Sequence, residues 1–373
     1  MENTPMYGNP YPPRQPYPAG ANYAPQPPMQ PVGPVPPEVQ QHMSKTFLKK
    51  ADNRICVLLM LMQVFAVPVL LVICIFWVMF NINDIMPYVR NSDVTGVTDF
   101  LKGQTGMMMA LSALATFGAM LITILVGRAM LKQKIFGAWR RPQSGPLVFF
   151  AGIAMMLAFS EVGSILVNLI TMLLKQAGIK TGTPDFNLSG NRTSDLILLA
   201  YVCVIGPILE ETLFRGMILQ SLRPWGDWFA IVASAILFGL FHLNLIQAIP
   251  AALMGLALGF VAVKCESILP TILMHIFNNS LSMVLTMKGI DKNQTVQGIY
   301  LGIIGVAVLA TILLAVFKRS EVETVMRRPT PAPPVRNKYP VFFFQSPGFW
   351  VLVSFFILYG VFLANSTSTM ITH

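Results

Sequence analysis

Charge is what this sequence has least of. Of its 373 residues 11% are Asp, Glu, Lys or Arg, against 54% hydrophobic, and the mean hydropathy is +0.61. Soluble domains carry about 25% charged residues, so this composition excludes a water-facing surface over most of the chain. Cysteine is also scarce. Cys56, Cys74, Cys203 and Cys265 fall in or at the ends of apolar runs with no Cys-x-x-Cys spacing. That argues against a disulfide framework or a thiolate zinc site and for small buried hydrophobes. There is no His-Glu-x-x-His, no Gly-x-Ser-x-Gly, no Gly-x-Gly-Asp and no Walker loop. The usual markers of helix-borne zinc, serine and aspartyl hydrolysis, and of an ATP-driven pump, are therefore missing. No cleavable signal peptide is expected, because about 50 polar residues precede the first apolar run.

Apolar runs are what is there. Nine stand at approximately 55–80, 105–131, 146–174, 196–222, 226–246, 248–263, 268–287, 296–317 and 348–365, the sixth being the shortest. A helix needs about 20 apolar residues to cross a bilayer. The expected fold is all-α, a polytopic transmembrane helix bundle of about nine spans. Five segments follow: a Pro- and Tyr-rich tail over 1–44, expected to be disordered; N-terminal transmembrane helices over 45–194; a core over 195–317; a basic, Pro-containing linker over 318–347; and a C-terminal transmembrane helix over 348–373, which reads as an appendage. The tail is a candidate docking segment for a partner. The net charge of +10 does not point to nucleic acid, since Lys and Arg crowd against the span ends. With the N-terminus cytoplasmic they divide 18 to 7 between the two sides, with Arg215 left inside a span. That bias sets the expected orientation and puts tail and linker in the cytoplasm.

Against this background a few polar residues inside spans require an explanation, since each costs roughly 2.5–3.5 kcal/mol on insertion scales. They are Glu210-Glu211-x-x-x-Arg215, Phe238-x-x-x-His242 and His275-x-x-x-Asn279. Only two other histidines exist, His42 and His373. On a helix Glu211 and Arg215 share a face and can pair, which leaves Glu210 about 100° away to face a cavity as a general base. His242 shares a face with Phe238. His275 and Asn279 lie one turn apart, and both offer N–H donors for a developing oxyanion. Each motif alone also reads as structural, as an ion pair or as interhelical hydrogen bonds. Glu161, inside the third span, either lines the same cavity or bonds to a neighbouring helix. Gly255 and Gly259 form a GxxxG spacing that permits close helix packing.

Taken in order, the three motifs resemble those of the CPBP family, the CAAX protease and bacteriocin-processing group of intramembrane proteases, also called Abi, which includes type II CAAX prenyl endopeptidases. The resemblance covers about residues 195–317. It implies an endopeptidase in which Glu210 activates water with the help of His242, while His275 and Asn279 hold the oxyanion. Glu211, Arg215 and Phe238 are then supporting. It leaves two expectations about cofactors: none, or one divalent metal such as zinc on Glu210, His242 and His275 with a fourth position for water. The implied partners are the lipid bilayer and a hydrophobic or lipidated peptide or protein, with no nucleic acid, and the implied location is the plasma membrane of a bacterium. Two other functions compete: a non-catalytic scaffold or immunity protein of the same fold, and a proton-coupled transporter. The transporter lacks the related halves such folds show, since residues 55–175 do not echo the motifs.

Overall fold

A computed structural model describes residues 37–178, 191–287, 293–317 and 339–370. These are predominantly helical, joined by turns and an irregular 132–145 connection, with no strand among them. Most of the expected tail (1–36) and linker (318–338) lies outside them, and residues 37–44 are helical. The elements are α1 (Pro37–Phe80), α2 (Ile82–Arg90), α3 (Val94–Gly103), α4 (Thr105–Leu131), α5 (Pro146–Gln176), α6 (Arg192–Ala200), α7 (Gly206–Leu213), α8 (Leu219–Leu222), α9 (Asp227–Phe241), α10 (Leu245–Cys265), α11 (Leu269–Met287), α12 (Gln294–Phe317), α13 (Tyr339–Phe344) and α14 (Pro347–Met370).

Among the described residues five helices are long and apolar enough to cross a membrane: Lys45–Phe80, Thr105–Leu131, Pro146–Gln176, Arg192–Trp225 and Leu245–Cys265. The expected nine spans are thus not borne out as a count. Four further apolar stretches, Asp227–Phe241, Leu269–Leu285, Gln294–Ala310 and Pro347–Val361, are shorter. The fifth run, read to 246, ends at Phe241 because His242 and Leu243 turn the chain, Leu243 with φ 54°. The sixth, expected to be shortest, is a full 21 residues, because the Asn244 side chain caps its first turn by accepting from the Gln247 N–H at 2.9 Å.

Burial orders these helices. Within its apolar window α10 is 56% buried and α1 17%, so α10 is interior and α1 peripheral. Close packing around α10 needs glycine. A Cβ at Gly163 of α5 would lie 2.6 Å from the Pro250 Cα of α10, and one at Gly239 of α9 would lie 2.6 Å from the Ala248 carbonyl oxygen. Gly255 meets Ala235 in the same way, at 3.1 Å, so the GxxxG spacing serves the α9–α10 contact. The 132–145 connection is tied down at the other end: Ile268 N–H donates to Ala138 O at 3.0 Å, and Arg140 and Arg223 both pair with Glu266.

The C-terminal helix is more than an appendage. Phe342, Phe343, Phe349 and Leu352 of α13 and α14 are buried in the main core. Ser346 Oγ donates to the buried Asp52 of α1, and Gly348 N–H to Asn53 Oδ1 at 2.8 Å. Sequence could not pair these polar groups because nearly 300 residues separate them.

Substituting Gly163→Ala should destabilise the fold by about 1–3 kcal/mol, because backbone rather than a pliable side chain meets the new methyl. Gly298→Ala, which meets nothing within 4 Å, should leave thermal unfolding in detergent unchanged or slightly improved.

Candidate active site

The segment carrying Glu210 and Glu211 is an eight-residue α-helix between two π turns, Tyr201–Ile205 and Phe214–Ile218. Gly206 N–H donates to Tyr201 O, and Leu219 N–H to Phe214 O, five residues back instead of four. Each inserted residue turns the following side chains by roughly 100° relative to an unbroken helix. Pro207 lacks an N–H, so in the π register the Val202 carbonyl has no backbone donor five residues on. The Asn279 Nδ2 of α11 supplies one at 3.0 Å.

The centre of the cluster is ionic. Arg215 Nη1 donates to Glu211 Oε1 at 2.7 Å, and both side chains are fully buried. The guanidinium also donates to the Gly255 carbonyl of α10 at 3.2 Å, and it lies 4.4 Å from the Phe238 ring centroid of α9. Gly255 has a second task here, since a Cβ on it would stand 3.1 Å from Arg215 Nη2. The cation is thus held by a carboxylate, a carbonyl and an aromatic face from three helices.

His275 of α11 is tied to this pair. Its Nδ1 lies 3.1 Å from Glu211 Oε1 and, facing a carboxylate, donates; its Nε2 faces Glu210 Oε2 at 3.7 Å. That second distance is an ion-pair contact, not a hydrogen bond. Glu210 is the open end of the cluster, with 17% of its side chain accessible against 2% for His275. The His242 ring meets Phe238 at 5.0 Å, and the His275 ring meets it at 5.8 Å, both edge to face. His242 Nδ1 donates to the Phe238 carbonyl at 2.9 Å, so in the neutral ring Nε2 carries the lone pair.

Glu210, Glu211, Arg215, Phe238, His242 and His275 are thereby brought together, with Asn279 one turn along α11 from His275. Asn279 has a structural bond through one N–H, and its second amide hydrogen remains for another acceptor. Glu161, half-buried on α5, interacts electrostatically with Tyr300 of α12. Two neighbours were not legible from residue spacing: Tyr201, whose phenol lies in the electrostatic field of Glu210, and Thr271 beside Glu211. A helical wheel through residue 205 would misplace Tyr201, since the π turn shifts its phase. Among the described residues no three His, Cys, Asp or Glu side chains are grouped to hold a metal ion. His275 Nδ1 donates to Glu211, so its Nε2, beside Glu210, is the ring nitrogen that a metal would take.

Because Glu211 and Arg215 are buried together, Arg215→Met should cost about 3–5 kcal/mol by leaving a buried carboxylate unpaired. Adding Glu211→Gln should restore most of that loss, a non-additivity readable in thermal unfolding of the purified single and double variants.

Residues 192–281, which contain all three motifs, match the family model for type II CAAX prenyl endopeptidase Rce1-like proteins. Over 93 residues, 25% of this chain, the sequence is 26% identical to the "Putative membrane peptidase YdiL" of Bacillus subtilis (strain 168). The matched stretch spans 38% of that relative's length. No solved structure matches. The chain is an integral membrane protein whose 192–281 segment, motifs included, is Rce1-like.

Proposed function

We propose that this chain is an intramembrane endopeptidase of CAAX type, hydrolysing a peptide bond of a membrane-anchored or hydrophobic substrate with water activated by Glu210. The observation that carries the reading is the pair of carboxylates on His275: Glu211 on Nδ1 at 3.1 Å and Glu210 facing Nε2 at 3.7 Å, in an apolar enclosure. A purely structural ion pair would need Glu211 and Arg215 alone. It would not need a second, partly accessible carboxylate or two histidines packed on one phenylalanine ring. The Rce1-like match of the same residues supports the reading independently.

In this mechanism a water lies between Glu210 and His242. Glu210 takes its proton as the oxygen attacks the scissile carbonyl carbon, and the Nε2 lone pair of His242 orients the water. The carbonyl π electrons move to oxygen, and the resulting oxyanion accepts from the free Asn279 N–H and from the Nε2–H of a doubly protonated His275, whose Nδ1–H stays on Glu211. The C–N bond then breaks, and the proton held by Glu210 passes to the leaving nitrogen. Glu211 and Arg215 position His275 by fixing its Nδ1. The Lys and Arg bias supports an N-terminus on the cytoplasmic side, here of a bacterial plasma membrane. No step of this mechanism is routed through a metal ion.

Glu210→Gln should lower hydrolysis by about 10²–10⁴-fold while leaving thermal unfolding unchanged, and His275→Ala should lower it by about 10²–10³-fold. The measurement is the membrane peptidome of cells carrying the parent or Glu210→Gln, followed by cleavage of the peptide so identified by purified protein in nanodiscs. A specific product lost in the variant supports proteolysis. An identical peptidome, with a phenotype still lost, would instead assign the cluster to partner binding.

A further inference from the structure

Outside this cluster, several cations line an open cleft of about 500 Å³ between the start of the α1 span and the end of α4. Its described lining is Lys45, Thr46, Lys49, Lys50, Asn53, Arg54, Val57 and Met130, four cations with no carboxylate. Positions 45, 49, 53 and 46, 50, 54, 57 are the two adjoining rows of one helix face. The acid of this stretch, Asp52, is not in the lining but buried against Ser346 and Cys56.

Two of the four cations are held in place. The Lys45 ammonium sits 5.5 Å from the Phe342 ring centroid of α13, and Arg54 Nη1 donates to the Met130 carbonyl near the end of α4 at 3.4 Å. A guanidinium anchored through one nitrogen keeps its other N–H groups for a phosphate. The cleft is also continuous with apolar surface. Val57 lies in its lining, and below it Val64, Val67, Leu71 and Ile75 run down the exposed side of α1. Cations above an apolar stripe match an anionic head above acyl chains, and a soluble phosphate would use only the upper half.

We propose that this cleft is a binding site for the phosphate-bearing headgroup of an anionic phospholipid, whose acyl chains lie along the Val64–Ile75 face of α1. The site is independent of the protease reading, since none of its residues touches the Glu210 cluster. Its position couples α1 to α13 and α4, so an occupied site also tightens the docking of the C-terminal helix described above.

The test is native mass spectrometry of the purified full-length protein in detergent, titrated with phosphatidylglycerol or phosphatidylcholine. Saturable binding of one phosphatidylglycerol is expected, at least about tenfold tighter than phosphatidylcholine and weakened about tenfold or more by Lys49→Gln with Arg54→Gln. The count-matched control, Arg90→Gln with Lys175→Gln, should bind as the parent does. If the double variant is unstable, Lys50→Gln, at an exposed position, should still weaken binding. A further arm adds inorganic phosphate at constant ionic strength. Failure of phosphate to displace the lipid supports the assignment, whereas displacement would make the cleft a site for soluble anions. Equal binding of the two lipids, or equal weakening by the control variant, would overturn the proposal.

Discussion

Everything at the centre of this protein depends on one ion pair that has no access to water. Glu211 and Arg215 are fully buried and 2.7 Å apart. Desolvating two such groups costs several kcal/mol each, so the pair persists only because the surroundings complete it. Arg215 reaches the Gly255 carbonyl and the Phe238 ring, and Glu211 accepts from His275. Through these contacts α7, α9, α10 and α11 are fixed relative to one another. Gly255 of α10 follows from the same need, because a Cβ there would crowd both Ala235 of α9 and the guanidinium.

The pair also explains why two adjacent glutamates are used. Glu211 is spent on structure, locked to Arg215 and to His275 Nδ1. Glu210, one position earlier, remains partly accessible and faces the other nitrogen of the same imidazole. Two carboxylates with different environments on one ring offer two different chemical tasks. The bracketing π turns set where each side chain points, and Pro207 frees the Val202 carbonyl that orients Asn279.

Much of this was legible in the sequence for simple reasons. Four-residue spacing on a helix has one outcome, so Glu211–Arg215 and Phe238–His242 could be paired without coordinates. Low charge and apolar length sufficed for an all-helical membrane fold, and motif order sufficed for the family resemblance. Hydropathy could not locate breaks inside apolar sequence. It ran through the turn at His242–Asn244 and so lengthened one span and shortened the next. It had no access to phase either, because a π turn carries no composition signal, and Tyr201 was missed beside Glu210. Contacts over long separations, such as Asp52 with Ser346, were invisible, and the C-terminal helix looked detached as a result.

In the proposed mechanism water, and no side chain, attacks the scissile carbonyl. The most direct measurement is hydrolysis of a cleaved peptide by the purified protein in the presence of hydroxylamine, with product and enzyme both read by intact mass. Direct attack by water predicts free carboxylic acid as the sole product and an enzyme mass unchanged at every time point. A hydroxamate product, or an enzyme heavier by the acyl fragment, would contradict it.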